Sequence, residues 1–219
     1  LADYQGVTIP NNIRVIRDAI EASGYDFLKD WKKRVEVTGE LSYLAYREEI
    51  EAALRTSEMS GISLLGLQDF TGQGTALVGM LNPHLQPKPY DFAKSERFKK
   101  FFNNVVLFVL LDKYTYFENE CFEAEVRLAN YSKKTLTLEA VYEISEDDKP
   151  YAEGILKKTA CPCGKITSLG TIKFDFKQAG KAKRLELRVC TDEVVTEYPI
   201  WVYPVEEANF AKDIFFAKN

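Results

Sequence analysis

Residues 61–75 of this chain read GISLLGLQDFTGQGT, an apolar run of strand length followed by Gln68, Asp69 and Phe70 and then by Thr71-Gly72-Gln73-Gly74-Thr75. A strand that delivers a glycine loop into a helix brings backbone N–H groups to a pyrophosphate. The same stretch also reads as the end of a barrel strand at a sugar site, or as a tight turn after a buried strand. A dinucleotide fingerprint requires a third glycine, where this chain has Leu77, although Asp91 lies at a tolerable distance beyond. A Walker loop requires Gly-Lys-Ser/Thr, which is absent. Pro83, Pro87 and Pro89 interrupt the place where a second βαβ unit would have to stand. The phosphate reading is therefore the weakest of the three.

The other candidates are nucleophiles, metal ligands and carboxylate pairs. A Ser-His or Cys-His device needs a histidine base, and the single histidine, His84, sits in a proline-rich stretch. Cys161-Pro162-Cys163 has one residue between the thiols, whereas paired zinc ligands stand two to four residues apart with a second pair nearby. Cys121 and Cys190 fall inside strand patterns and read as small core residues, with a disulfide left open. Arg47, Glu48 and Glu51 read as one solvated helix face supported by i,i+4 pairing. Glycoside hydrolysis needs two carboxyls across a sugar, and only Asp69 ends a recognisable apolar strand.

The elements that must position these residues follow from composition and period. The 219 residues are 46 % hydrophobic, 28 % charged and 13 % aromatic, a globular profile with material for a core. A net charge of −4 leaves no footprint for nucleic acid. Lys32-Lys33-Arg34 and the basic residues of 181–184 lie among acids and read as solvated faces. The longest apolar run, Val105–Leu111, is far short of the ~18 residues a membrane helix needs. No signal peptide is visible, no cofactor or metal is expected, and the start at Leu1 has the look of a cut piece.

Helical spacing of Ile13, Ile16 and Ile20, stopped by Ser23-Gly24, predicts a first helix. A second carries Leu28, Trp31 and Val35 on one side, and a third, over about 40–55, turns Leu44, Ile50 and Leu54 inward. Ile62–Leu67 predicts a strand covered on both faces, followed by a short helix over about 75–80. Residues 81–94 read as a linker, and 95–102 as a short helix with Ser95 at its N-cap. After Asn104 the period changes to two. Seven strands near 105–111, 122–128, 136–144, 151–159, 166–176, 184–190 and 194–203 predict an antiparallel sandwich of immunoglobulin type. Asp213–Phe216 reads as the first strand of a further element.

The stretch YREEIEAALRTSEMSGISLLGLQDFTGQGTALVGMLNP, residues 46–83, resembles the end of the catalytic barrel in the β-galactosidase-like branch of glycoside hydrolase family 2. Glu48–Thr56 and Leu67–Thr75 match that pattern nearly residue for residue. The match extends to TSLGTI (167–172) and PIWVYP (199–204) in the sandwich, and to YQGVTIPNNIRVIRDAI (4–20) after the seventh barrel strand. One departure stands out. Where the branch carries a Phe-Trp pair, this chain has His84-Leu85 and then Pro87-Lys88-Pro89, so a bulky aromatic that could stack on sugar is missing.

The resemblance implies a partial (β/α)8 barrel end over 1–94, an immunoglobulin-like sandwich over 95–204, and the start of a following element over 205–219. It implies a parent retaining glycosidase whose acid/base and nucleophile glutamates, at the ends of barrel strands four and seven, lie upstream. The chain itself would then be inactive. Its partners would be a carbohydrate substrate and the remainder of the parent chain, with no nucleic acid and no membrane. A periplasmic or secreted parent is compatible. Gln68, Asp69, Phe70, Gln73 and His84 become the expected substrate-binding residues at the barrel rim, Asp69 equally a cap on the glycine turn. An unpaired apolar 62–67 strand would invite self-association or local rearrangement. The rival reading is a non-catalytic sandwich that binds carbohydrate or braces the barrel.

Overall fold

The computed structural model describes residues 4–56, 58–71 and 76–205. The chain divides into two compact units, Leu1–Val106 and Leu107–Asn219.

The first unit is built on α1 (Asn11–Ala22) and α2 (Phe27–Arg55). Asp26 caps α2 by accepting the Lys29 N–H at 3.1 Å. The two helices predicted over 28–55 are one helix of 29 residues that runs through Gly39. Gly39 is not a stop but a notch: a Cβ there would lie 2.1 Å from the Phe92 ring. The buried stripe of α2 is Tyr43, Arg47, Ile50, Glu51 and Leu54. Ile50 and Leu54 face inward as expected, but Leu44 is exposed and the reading of Arg47 and Glu51 as solvated is overturned. They lie at i,i+4 on the apolar face, and Arg47 Nε donates to Glu51 Oε1 at 2.7 Å, so the charges enter the interior as a pair.

The strand expected over Ile62–Leu67 does not form. Among the described residues this segment joins no sheet, and Leu65 is 93 % exposed. A strand covered on both faces needs neighbours on both edges, and the first unit has no sheet to offer among its described residues. Only isolated bridges occur, Gln68 with Leu81, Phe70 with Ala76 and Leu81 with Pro87. The helix expected over 75–80 is likewise absent at 76–80, which the bridges hold extended or bent. The 81–94 linker is folded: the Asn82 side chain accepts the N–H groups of His84 and Gln86 at 2.9 and 3.0 Å. A 3-10 turn (Asp91–Ala93) leads into α3 (Ser95–Phe98), whose N-cap position is Lys94 rather than Ser95 and carries no side-chain cap bond. Arg97 on α3 grips Glu40 of α2 through two bonds of 2.7 and 2.6 Å and lies 4.0 Å over the Tyr43 ring. The bonds to Glu40 hold its pKa above the ordinary guanidinium value.

The second unit is a β-sandwich. Strands β1 (Val105–Leu110), β3 (Cys121–Asn130) and β6 (Lys165–Asp175) form one sheet, in the order β1-β3-β6. The other is β2-β8-β7-β4-β5, from Thr115–Phe117, Val195–Tyr203, Lys183–Cys190, Leu136–Glu146 and Lys149–Cys161. The seven expected strands are present, and β2 is an eighth. Its pairing with β8 is parallel, a departure from the all-antiparallel expectation. The alternation translates directly: Phe122, Ala124, Val126 and Leu128 are buried, as are Leu136, Leu138, Ala140 and Ile144. The β4–β5 hairpin turns through Asp147 and Asp148, both at positive φ, the conformation that matches strand twist. A bulge opposite Val126 and Arg127 places Leu169 in the core, with Gly170 at φ 134 beside it.

Two buried polar groups fix this unit. Asn130 donates to the carbonyls of Lys134 (2.9 Å) and Cys161 (2.8 Å), and its Oδ1 accepts the Ser132 N–H and hydroxyl. The Tyr198 hydroxyl on β8 accepts the Val109 N–H of β1 at 3.1 Å, joining the two sheets. Cys121 is exposed rather than in the core. All four thiols are free, and among the described residues no cluster could hold a metal.

Candidate functional site

Asp69 is the centre from which the site is built. Its N–H donates to the Leu81 carbonyl at 2.9 Å, and Leu81 returns a bond to Leu67 at 3.0 Å. The returning segment packs so closely that a Cβ on Gly79 would sit 2.2 Å from the Gln68 carbonyl carbon. The Asp69 carboxylate is completely buried. Oδ2 accepts the Tyr4 hydroxyl at 2.7 Å, while Oδ1 accepts the Gly79 N–H at 2.9 Å and Lys88 Nζ at 2.8 Å. A buried carboxylate is tolerable only when its charge is paired and its oxygens are hydrogen-bonded, and both conditions hold here. The turn it holds is the one through Gly79. Gly72–Thr75, including the expected site residue Gln73, lies outside the described residues.

Tyr4, Gly79 and Lys88, the donors to Asp69, all line a cleft of about 740 Å³. The carboxylate therefore sits behind the cleft wall and ties together three segments of it. A further part of the lining comes from α2, through Trp31 and Ser42 among others. Phe27 stacks on the Trp31 indole with ring centres 5.1 Å apart, and Tyr90 stacks on Phe92 at 5.4 Å. Phe92 in turn occupies the notch at Gly39.

The residues expected at a sugar rim distribute unevenly. Gln68 and Phe70 are exposed on either side of the buried Asp69, and His84 is exposed on the Asn82 turn. None of the four belongs to the cleft lining, whereas Trp31, Lys88 and Tyr90 do. Helical spacing with Val35 was the sequence signal for Trp31, and it pointed only to a helix face. Tyr90 carried no signal at all. No carboxylate lines the cleft among the described residues, so these walls can bind but supply no acid/base pair.

Residues 120–204 match the model of a family described as a domain of unknown function (DUF8488). No curated protein matches the chain. Among solved structures, a β-D-mannosidase from Dictyoglomus thermophilum superposes with a TM-score of 0.57 at 12 % identity, over 79 % of this chain and 20 % of its own. A β-glucosidase from Listeria innocua, solved with glucose, gives a TM-score of 0.36 at 13 % identity, over 48 % of this chain and 17 % of its own. An alkylpurine DNA glycosylase from Pseudomonas fluorescens, bound to DNA with an abasic site analogue, gives 0.37 at 11 % identity, over 50 % and 33 %. The last two scores are too low to bear on the fold. The first shows a fold shared with part of the β-mannosidase, and the chain spans only a fifth of that enzyme's length.

Proposed function

We propose that the chain is part of a retaining glycoside hydrolase of family 2, contributing the end of its barrel and the sandwich that follows. The observation that carries this reading is the fold shared with the β-mannosidase, over 79 % of the chain, a share larger than either unit alone provides. The near residue-for-residue resemblance of 48–56 and 67–75 to the family 2 pattern supports it independently. In this reading Gln68, Phe70 and His84 face sugar at the barrel rim, and Asp69 braces the wall behind. The two catalytic glutamates lie upstream of Leu1, and the chain alone turns over no substrate. The test is mechanism-based labelling of the intact gene product with a 2-deoxy-2-fluoro glycoside. The label is expected on a glutamate upstream of this chain. A label on any residue of 1–219, or hydrolysis of an aryl glycoside by this chain alone, overturns the reading.

One observation favours a second reading, a sandwich that binds glycan without cleaving it. Trp201 and Tyr203 alternate on β8, Phe117 pairs with Tyr203 across to β2, and all three are exposed. Exposed aromatics in a row suit the apolar face of a sugar. Glycan binding lost in both Trp201→Ala and Tyr203→Ala variants would establish it.

A further inference from the structure

We infer that the cleft of the first unit is a binding site for an uncharged pyranoside, with the Trp31 indole as its platform. Three features define the ligand. The first is charge. The only ionisable cation or anion among the described lining residues is Lys88, and Asp69 directly behind it compensates that charge at 2.8 Å. A uronate or a phosphorylated ligand would meet no uncompensated cation, and burying its charge there would be costly.

The second is the aromatic wall. Phe27, almost fully buried, occupies one face of the Trp31 ring, so the ring is fixed in orientation and the half-buried indole presents itself to the cleft. A fixed ring loses little freedom when a ligand stacks on it. Trp31 thus supplies, from α2, the bulky aromatic that positions 84 and 85 lack. The third is hydrogen bonding. Asn12 and Ser42 line the cleft, and their side chains make no hydrogen bond to another described residue. An aromatic face with amide and hydroxyl groups around it matches a pyranose, whose C–H face is apolar and whose edge carries hydroxyls. The volume of about 740 Å³ lies within the range of small-molecule sites. The choice of a sugar among uncharged ligands rests on the glycosidase reading.

The chain has two tryptophans, so a Trp201→Phe variant reports on Trp31 alone. Its fluorescence is expected to change on titration with mannobiose or cellobiose in the millimolar range, and to stay unchanged with glucuronic acid. Trp31→Leu keeps an apolar contact with Phe27 and removes the platform. In calorimetry it is expected to weaken disaccharide binding by about tenfold or more, with the thermal transition retained. If Trp31→Leu does not fold, Ser42→Leu tests the same cleft from its half-buried wall. No binding of either disaccharide, equal binding of the uronate, or binding untouched by the cleft variant overturns the inference. Its failure is distinct from failure of the glycosidase reading. The labelling of the intact protein can succeed with no sugar at Trp31, and sugar can bind at Trp31 in a protein that labels nowhere.

Discussion

Replacing Asp69 by alanine should destabilise the first unit selectively. The side chain is wholly buried and takes three donors, one of them Lys88, whose own side chain is only 12 % exposed. Removing one partner of a buried ion pair costs about 3–5 kcal/mol, because the remaining charge has neither partner nor water. The Tyr4 hydroxyl and Gly79 N–H lose their acceptor as well, but these losses overlap, so about 3–5 kcal/mol is the expected total. A unit of this size has roughly 5–15 kcal/mol in all, so the variant would lose a large share of its stability. Asp69→Asn keeps an acceptor and loses the charge, and about 1.5–3 kcal/mol is expected. Adding Lys88→Met to it should recover part of that loss, since the uncompensated cation is then gone. The assay is urea unfolding followed through Trp31 in a Trp201→Phe background and through Trp201 in a Trp31→Phe background. The Trp31 transition should move to lower urea and the Trp201 transition should not. An Asp69→Ala unfolding free energy within about 0.5 kcal/mol of the parent protein's, the range of ordinary surface substitutions, refutes the brace.

Three further outcomes are expected. Tyr198→Phe strands the buried Val109 N–H and should destabilise the sandwich by about 1–3 kcal/mol, read as a shift of the Trp201 transition. In alkylation at mildly alkaline pH, Cys163, which is exposed, should react in the native state, while Cys161 should react only after denaturation. Burial raises the Cys161 thiol pKa, so less thiolate is present at any such pH, and peptide mapping after a timed quench distinguishes the two. Exposed Leu65 and its neighbours should support weak self-association, and Leu65→Glu should shift sedimentation equilibrium toward monomer.

The sandwich was legible because each strand has one wet and one dry face, so alternation in residues such as Phe122–Leu128 is a direct record of burial. The short strand β2 was not, since three residues carry too little period to register. In the first unit the same kind of reasoning misled at particular positions. Two separate apolar sets, Leu28–Val35 and Leu44–Leu54, read as two helices, yet one helix runs through Gly39, where the packing of Phe92 requires the missing Cβ. Arg47 and Glu51 read as solvent-facing because they are charged, although their spacing from Tyr43, Ile50 and Leu54 placed them on the apolar stripe. Ile62–Leu67 shows the limit of a short apolar run, whose composition cannot supply partners. Asp69 was expected to contact sugar or to cap the glycine turn, whereas its three donors come from positions 4, 79 and 88, separations that no local pattern encodes. The cleft is unreadable for the same reason, since Trp31 belongs to no motif and meets Lys88 and Tyr90 only through the fold.

The five-stranded sheet ends in two very different borders. On one side stands β2, only three residues long, and on the other β5, thirteen residues long. A short border offers little template for another chain. The long one carries Lys149, Pro150, Lys157 and Lys158, residues that discourage a neighbouring strand from docking. Lysine acetylation or a lysine-to-valine drift along β5 would strip that protection without touching a single core contact. The sandwich would then keep its stability in dilute solution and fail only in company, as a protein whose melting curve looks sound but which precipitates at working concentration.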